Sequence, residues 1–180
     1  MAYNEVKLSD VAAYISRGIT PSYTEETGTV VINQKCVRGG EVSLEESRYH
    51  NAAKKKVPVE KLLRKWDILV NSTGTGTLGR VGQIVCDMPK ATVDSHVTIV
   101  RPADSIDPAY LGYALKWRQP YIEALAEGST GQTELSRFRL GDEITIPLPS
   151  LGTQKSIAQI LSAVDEKIAV NKKINDNLVA

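Results

Sequence analysis

The hydrophobic positions of this chain follow two different rules. From Ser150 to Ala180 they follow helical spacing. Ile157, Leu161, Val164 and Ile168 recur at alternating steps of four and three, the spacing of a helical seam. Asn171, Asn175 and Leu178 continue the seam, which turns polar before its end. No proline interrupts the stretch, and its one glycine, Gly152, falls in the first turn. With Ser150 as N-cap, the pattern predicts one helix of roughly 30 residues, on the order of 45 Å long. That exceeds the diameter of the domain the rest of the chain can build. The helix is therefore expected to project and to pair with another helix. The alternative is a helix folded back on its own core, favoured by the two asparagines.

Residues 1–149 follow the other rule, with short β-branched runs cut by turn residues. Glu5–Leu8 reads as a strand. Ser9 reads as the N-cap of a short helix that turns Leu8, Val11, Ala12 and Ile15 to the core and ends at Gly18. Thr29–Val37 reads as a strand and Gly39-Gly40 as a turn. Pro58 is placed to start a short helix, VEKLLRKW. Asp67–Val70 and Val81–Val85 read as strands, and Ala91–Arg101 as one longer strand by alternation. Asp107-Pro108 is a strong helix start, with Pro120 expected to break or restart the helix. Glu127–Arg139 reads as a polar loop and Ile144–Ile146 as a last strand. The expected fold class is α+β: a mixed or antiparallel β-rich head over 1–149 with short helices, then one long helix over 150–180.

A chain of 180 residues suits one domain with an appendage. The formal net charge of +1 points to no polyanion overall, so any nucleic-acid site must be a local patch. Cys36 and Cys86 lie far apart without metal-ligand spacing, which argues against zinc and against a disulfide framework. The first residues lack the features of a signal peptide, and no apolar run reaches the ~18 residues of a membrane span. A soluble, cytoplasmic protein is expected.

The strongest motif match is Gly74-Thr75-Gly76-Thr77-Leu78-Gly79, a GxGxxG sequence with Asp94 downstream. A dinucleotide site needs a helix to open on those glycines. The following Arg80–Val85 reads as a strand, so a tight turn is expected and a small nucleotide-binding enzyme is the remote alternative. No nucleophile–base set, Walker sequence or methyltransferase motif is present. His96 beside Asp94 is expected to be structural. The cluster Lys54, Lys55, Lys56, Lys61, Arg64 and Lys65 could follow a phosphate backbone. Three polar loops could face bases: Gly18–Tyr23, Asn71–Arg80 and Ser129–Arg137. Candidate DNA contacts are Thr20, Tyr23, Lys35, Arg38, Lys54, Lys55, Lys56, Arg64, Thr75, Thr77, Arg80, Thr130, Gln132, Thr133 and Arg137.

Several stretches in order carry a resemblance: LSDVAAYISRGITPSY, VINQKCVRGG, WDILVNSTGTGTLGRVGQIV, VDSHVTIVRP, and STGQTELSRFRLGDEITIPLPSLGTQKSIAQILSAVDEKI. Together they resemble the specificity subunit of type I restriction–modification enzymes. The resemblance implies a target recognition domain followed by a conserved spacer helix. Family members typically carry two such pairs, so this chain resembles a half-length form. At the start of the helix it has Thr153-Gln154 where the family usually has an acidic residue before the glutamine, so a capping-box carboxylate is missing. The resemblance further implies double-stranded DNA as ligand and spacer helices that pair antiparallel. Two copies would meet through Ile157, Leu161, Val164 and Ile168 and read an interrupted palindrome. It also implies methyltransferase and restriction (motor–nuclease) subunits as partners. S-adenosylmethionine, ATP and Mg would belong to those subunits, with no catalysis and no cofactor of the chain's own. A freestanding DNA-binding regulator, or a mimic of a specificity subunit, is the main alternative.

Overall fold

The computed structural model describes residues 3–128 and 133–179. In chain order the elements are β1 (Glu5–Lys7), α1 (Leu8–Val11), β2 (Ala12–Arg17), β3 (Tyr23–Thr24), β4 (Thr29–Ile32), β5 (Val37–Arg38), β6 (Glu41–Val42) and β7 (Arg48–His50). There follow β8 (Ile68–Asn71), β9 (Val81–Gln83), β10 (Ala91–Val93), β11 (Val97–Pro102), α2 (Pro108–Ala124), α3 (Arg137–Glu143), β12 (Thr145–Pro147) and α4 (Leu151–Val179). The α+β expectation holds.

A central antiparallel sheet in the order β2-β11-β8-β9 divides the head into two cores. Alternate side chains of a strand point to opposite faces. Ile68 and Val70 of β8 and Val100 of β11 therefore join the side covered by helices, with Leu111, Leu115 and Ile122 of α2 and Leu140 of α3. Leu69, Val97 and Ile99 point the other way, toward Ile32, Cys36, Val37 and Val93. There a second sheet packs, in the order β10-β4-β7-β3, with β10 and β4 parallel. Burial on both faces is why Ile68–Val70 lacks a polar alternation. Two small pairings complete the head: β1 with β12, and the hairpin β5–β6.

Local expectations fail where tertiary partners claim the backbone. The helix expected from Ser9 is one turn, Leu8–Val11, with Lys7 as N-cap. Ala12–Arg17 pairs with β11 instead of continuing it. The strand expected over Thr29–Val37 stops at Ile32, where Asn33 caps a 3-10 turn by accepting the Lys35 N–H at 2.8 Å. The helix expected after Pro58 is a 3-10 turn, Val59–Lys61. Arg101 takes the carbonyls of Glu60 and Leu62, and Leu63 N–H bonds to Ala91. The single strand expected over Ala91–Arg101 is two strands in different sheets. Asp94 accepts the His96 N–H at 2.9 Å and turns the chain from one sheet to the other. Pro120 lies inside α2 without ending it, and the loop expected through Arg139 gives way to α3 at Arg137, capped by Ser136.

Helix α4 starts where the pattern placed it. Ser150 accepts the Thr153 N–H at 3.3 Å, and its hydroxyl meets that of Thr153 at 3.0 Å. Its first turns lie against α2: Gln154 and Ala158 are buried, Ile157 and Ser162 half-buried, and Asp165 accepts the Tyr113 hydroxyl at 2.8 Å. Past that point the helix is exposed all round.

Candidate nucleic-acid interface

In an antiparallel sheet the ends of alternate strands meet at one edge. Here the end of β2, the end of β8, and the starts of β9 and β11 share a rim. The chain leaves β2 through Gly18, where a Cβ would lie 2.0 Å from the Val93 carbonyl oxygen, so only glycine passes. Gly18 and Ile19 donate their N–H groups to Val97 and Val93 at 3.1 and 2.9 Å. Ser72 N–H bonds to the His96 carbonyl and Leu135 N–H to Ser72, both at 2.8 Å. Thr73 and Glu134 form an isolated bridge. The three polar loops singled out in the sequence thus touch one another along this rim, through the Asp94–His96 turn. Of the third loop, Thr130 and Gln132 lie outside the described residues.

The glycine-rich segment is the connection between antiparallel β8 and β9, and no helix opens on it. Gly79 has φ +82°, and a Cβ there would sit 2.8 Å from Glu123 Cα, which locks the turn against α2. Asn71 Nδ2 donates to the carbonyls of Gln34 and Thr77 at 2.9 and 3.1 Å, and Arg80 Nη2 to Gly76 at 2.7 Å. Thr77 donates to Thr73. Thr77 and Arg80 therefore hold the turn's shape, while Thr75 stands at its exposed tip.

The basic cluster divides. Lys55 Nζ reaches the Thr20 carbonyl at 3.2 Å and Lys61 Nζ the Gly18 carbonyl at 2.7 Å, so this end flanks the rim, with Lys54 and Lys56 exposed beside it. Arg64 does not join them. Its backbone N–H bonds to Asp67 at 2.8 Å, just before β8, about 13 Å from the rim by strand rise. Lys35 is exposed next to Gln34 and so borders the Gly74 turn. Arg38 is exposed in the β5–β6 hairpin, whose Gly39 and Gly40 line a groove of about 430 Å³ with Arg80, Lys116 and Gln119. Thr133 is half-buried beside Glu134, and Arg137 is exposed at the start of α3, over the Phe138 ring.

Three contributors had weak sequence signals. The Arg48 guanidinium stacks on the Tyr23 ring at 3.7 Å, a pairing set by β3 and β7. His50 is fully buried; its Nδ1 accepts the Ser22 N–H at 2.9 Å, so Nε2 carries the proton and donates to the Lys55 carbonyl at 2.7 Å. It pins the lysine loop to the rim. His96 is exposed, with Nδ1 2.7 Å from the Thr73 hydroxyl. Burial raises the Asp94 carboxyl above its usual range, an effect that the His96 N–H partly offsets. Burial likewise raises the Tyr23 phenol.

The head is β-rich with polar loops gathered at one sheet edge, and the long helix continues past its contacts with that head. The chain belongs to the type I restriction modification DNA specificity domain family, whose model matches residues 2–180. The MjaVIII specificity subunit of Methanocaldococcus jannaschii is 32% identical over 114 residues, 63% of this chain and 24% of that one. The HindI specificity subunit of Haemophilus influenzae is 26% identical over 122 residues, 66% of this chain and 26% of its own. The chain thus spans about a quarter of the curated relatives' length. Among solved structures, a type I restriction–modification assembly matches with TM-score 0.70 at 20% identity, over 96% of this chain and 40% of that one. The S subunit of M. genitalium matches with TM-score 0.66 at 22% identity, over 97% and 44%. These relatives are named as specificity subunits of type I restriction enzymes.

Proposed function

We propose that this chain is one reading half of a type I specificity unit. The head would bind double-stranded DNA through its rim, with Lys54, Lys55 and Lys56 on the phosphates and the loops at Thr20, Thr75 and Thr133 toward the bases. The helix would act as a spacer that pairs antiparallel with that of a second copy. Residues 1–149 and 150–180 would then be separate working parts. The methyltransferase and restriction subunits would be directed to the site and would supply the S-adenosylmethionine, ATP and Mg chemistry.

One observation carries this reading. Helix α4 meets its own head through Gln154, Ile157, Ala158 and Asp165, and its apolar seam beyond Ile157 is left exposed. Ala158 is 5% exposed against α2, while Leu161, Val164 and Ile168 are 38%, 51% and 49% exposed, with Ile160, Ile174 and Leu178 open beside them. Of the seam, Ile157 alone packs on the head. An apolar stripe of this length left open on a projecting helix favours a helical partner. A two-fold pair prefers a symmetric site, so the target would be an interrupted palindrome with half-sites roughly 34 Å apart.

Mapping methylated bases in cells that carry the chain with a type I methyltransferase subunit tests the reading. A split, symmetric motif that appears only with the chain is expected. Methylation that ignores the chain, or a continuous asymmetric motif, sinks it.

A further inference from the structure

The middle of the rim holds a histidine whose ring is aimed by the neighbouring loop. His96 is fixed at both backbone groups: its N–H bonds to Asp94 and its carbonyl accepts the Ser72 N–H. Its ring is fixed at Nδ1 by the Thr73 hydroxyl at 2.7 Å. Among the described residues, nothing bonds to Nε2, and the residue is exposed. A side chain held at one ring nitrogen and open at the other is set up to present one directed hydrogen-bonding atom.

The charges around it indicate what it faces. Glu134, adjoining Thr73, is exposed and pairs with Arg17 at 2.7 Å, and the Asp94 carboxylate lies beneath the turn. The Glu134–Arg17 pair largely cancels and the buried Asp94 adds no cation, so this centre suits the duplex backbone less than the lysine flank does. The amines of Lys55 and Lys61 lie to one side, against Thr20 and Gly18. Phosphate contacts position a protein, and base-edge contacts specify sequence. Amines at the flank and an aimed ring nitrogen at the centre match that division.

We infer that His96, oriented by Thr73, reads a base edge of the duplex. This rests on the DNA-reading role proposed above. In the tautomer in which the Thr73 hydroxyl donates to Nδ1, Nε2 donates and matches the N7 or O6 acceptors of a purine; in the other tautomer Nε2 accepts and matches an exocyclic amino group of adenine or cytosine.

The chain's two histidines make the test clean. His50 is buried with both ring nitrogens bonded, so histidine carbethoxylation by diethyl pyrocarbonate reports on His96, confirmed by peptide mass. The full chain first selects duplexes from a randomised pool. Labelling of His96 is expected to be lost under saturating selected duplex and kept under saturating unrelated duplex. His96→Ala should relax preference at one base pair by about fivefold or more with an unchanged salt slope, and His96→Gln should restore part of it. Equal protection by both duplexes, no protection by either, or uniform weakening with a shallower salt slope overturns the inference. A wild-type chain that selects no duplex removes the DNA-reading role itself, a different failure.

Discussion

Gln154, in the first turns of α4, accepts the backbone N–H of Asp107, the N-cap of α2, at 2.8 Å. Its amide also donates to the Pro149 carbonyl at 2.8 Å, and the residue is 1% exposed. One side chain therefore fixes where the long helix leaves the head. Gln154→Leu strands two polar groups and should lower unfolding free energy by about 1–3 kcal/mol in urea titration. Gln154→Glu should cost more, because a carboxylate cannot donate to Pro149 and its charge is buried. An unchanged midpoint in both variants would mean that the joint lies elsewhere.

The two faces of α4 should respond differently to charge. Ala158→Asp places a carboxylate against the α2 core and should destabilise the head itself. Val164→Asp and Ile168→Asp alter positions exposed in the single chain and, at dilutions where wild type is also monomeric, should leave the melting temperature near wild type. In sedimentation velocity, the same two variants should abolish self-association. Association that survives both removes the helix-pairing proposal.

Asp67 and Arg101 form a two-pronged ion pair, with Nε and Nη2 each 2.8 Å from a carboxylate oxygen and Asp67 fully buried. Removing one partner leaves an uncompensated charge. Asp67→Ala should cost about 3–5 kcal/mol in chemical denaturation. Since Arg101 also holds the carbonyls of Glu60 and Leu62, the neighbouring Lys61 should become a preferred trypsin site.

Asp94 gives a pH signature. Burial raises its pKa from the usual value of 3.8, so the native state holds the proton more tightly than the unfolded chain does. Its contribution to stability is full below that value and is lost as pH rises through the higher native pKa. At neutral pH the ionised carboxylate therefore costs stability. Asp94→Asn can still accept the His96 N–H and should be the more stable protein at neutral pH. The gap should close as the solution is acidified, as followed by thermal melts across pH. A gap that widens on acidification contradicts the sign.

Legibility in the sequence depended on how local the cause was. Asp107-Pro108 marked the start of α2 because a cap and its missing donor lie within one turn. Gly39-Gly40 and the Gly74–Gly79 segment marked turns because positive φ belongs to single residues. Ala12–Ile15 read as helical by local spacing, and pairing with β11 made it a strand. Among site residues, the loops were readable by composition. The centre of the rim was not: His96 acquires its place from Thr73, a residue of another strand's loop.

By itself the sequence determined the α+β composition, the long helix and its seam, since repeat spacing and caps act over a few residues, and its ordered stretches carried the resemblance to the family. Only the tertiary structure decided which edge gathers the loops, that Arg64 stands apart from the lysines flanking the rim, and which face of α4 stays open. Those depend on contacts between segments far apart in the chain. Their free energies are set by what packs where, which no local window contains.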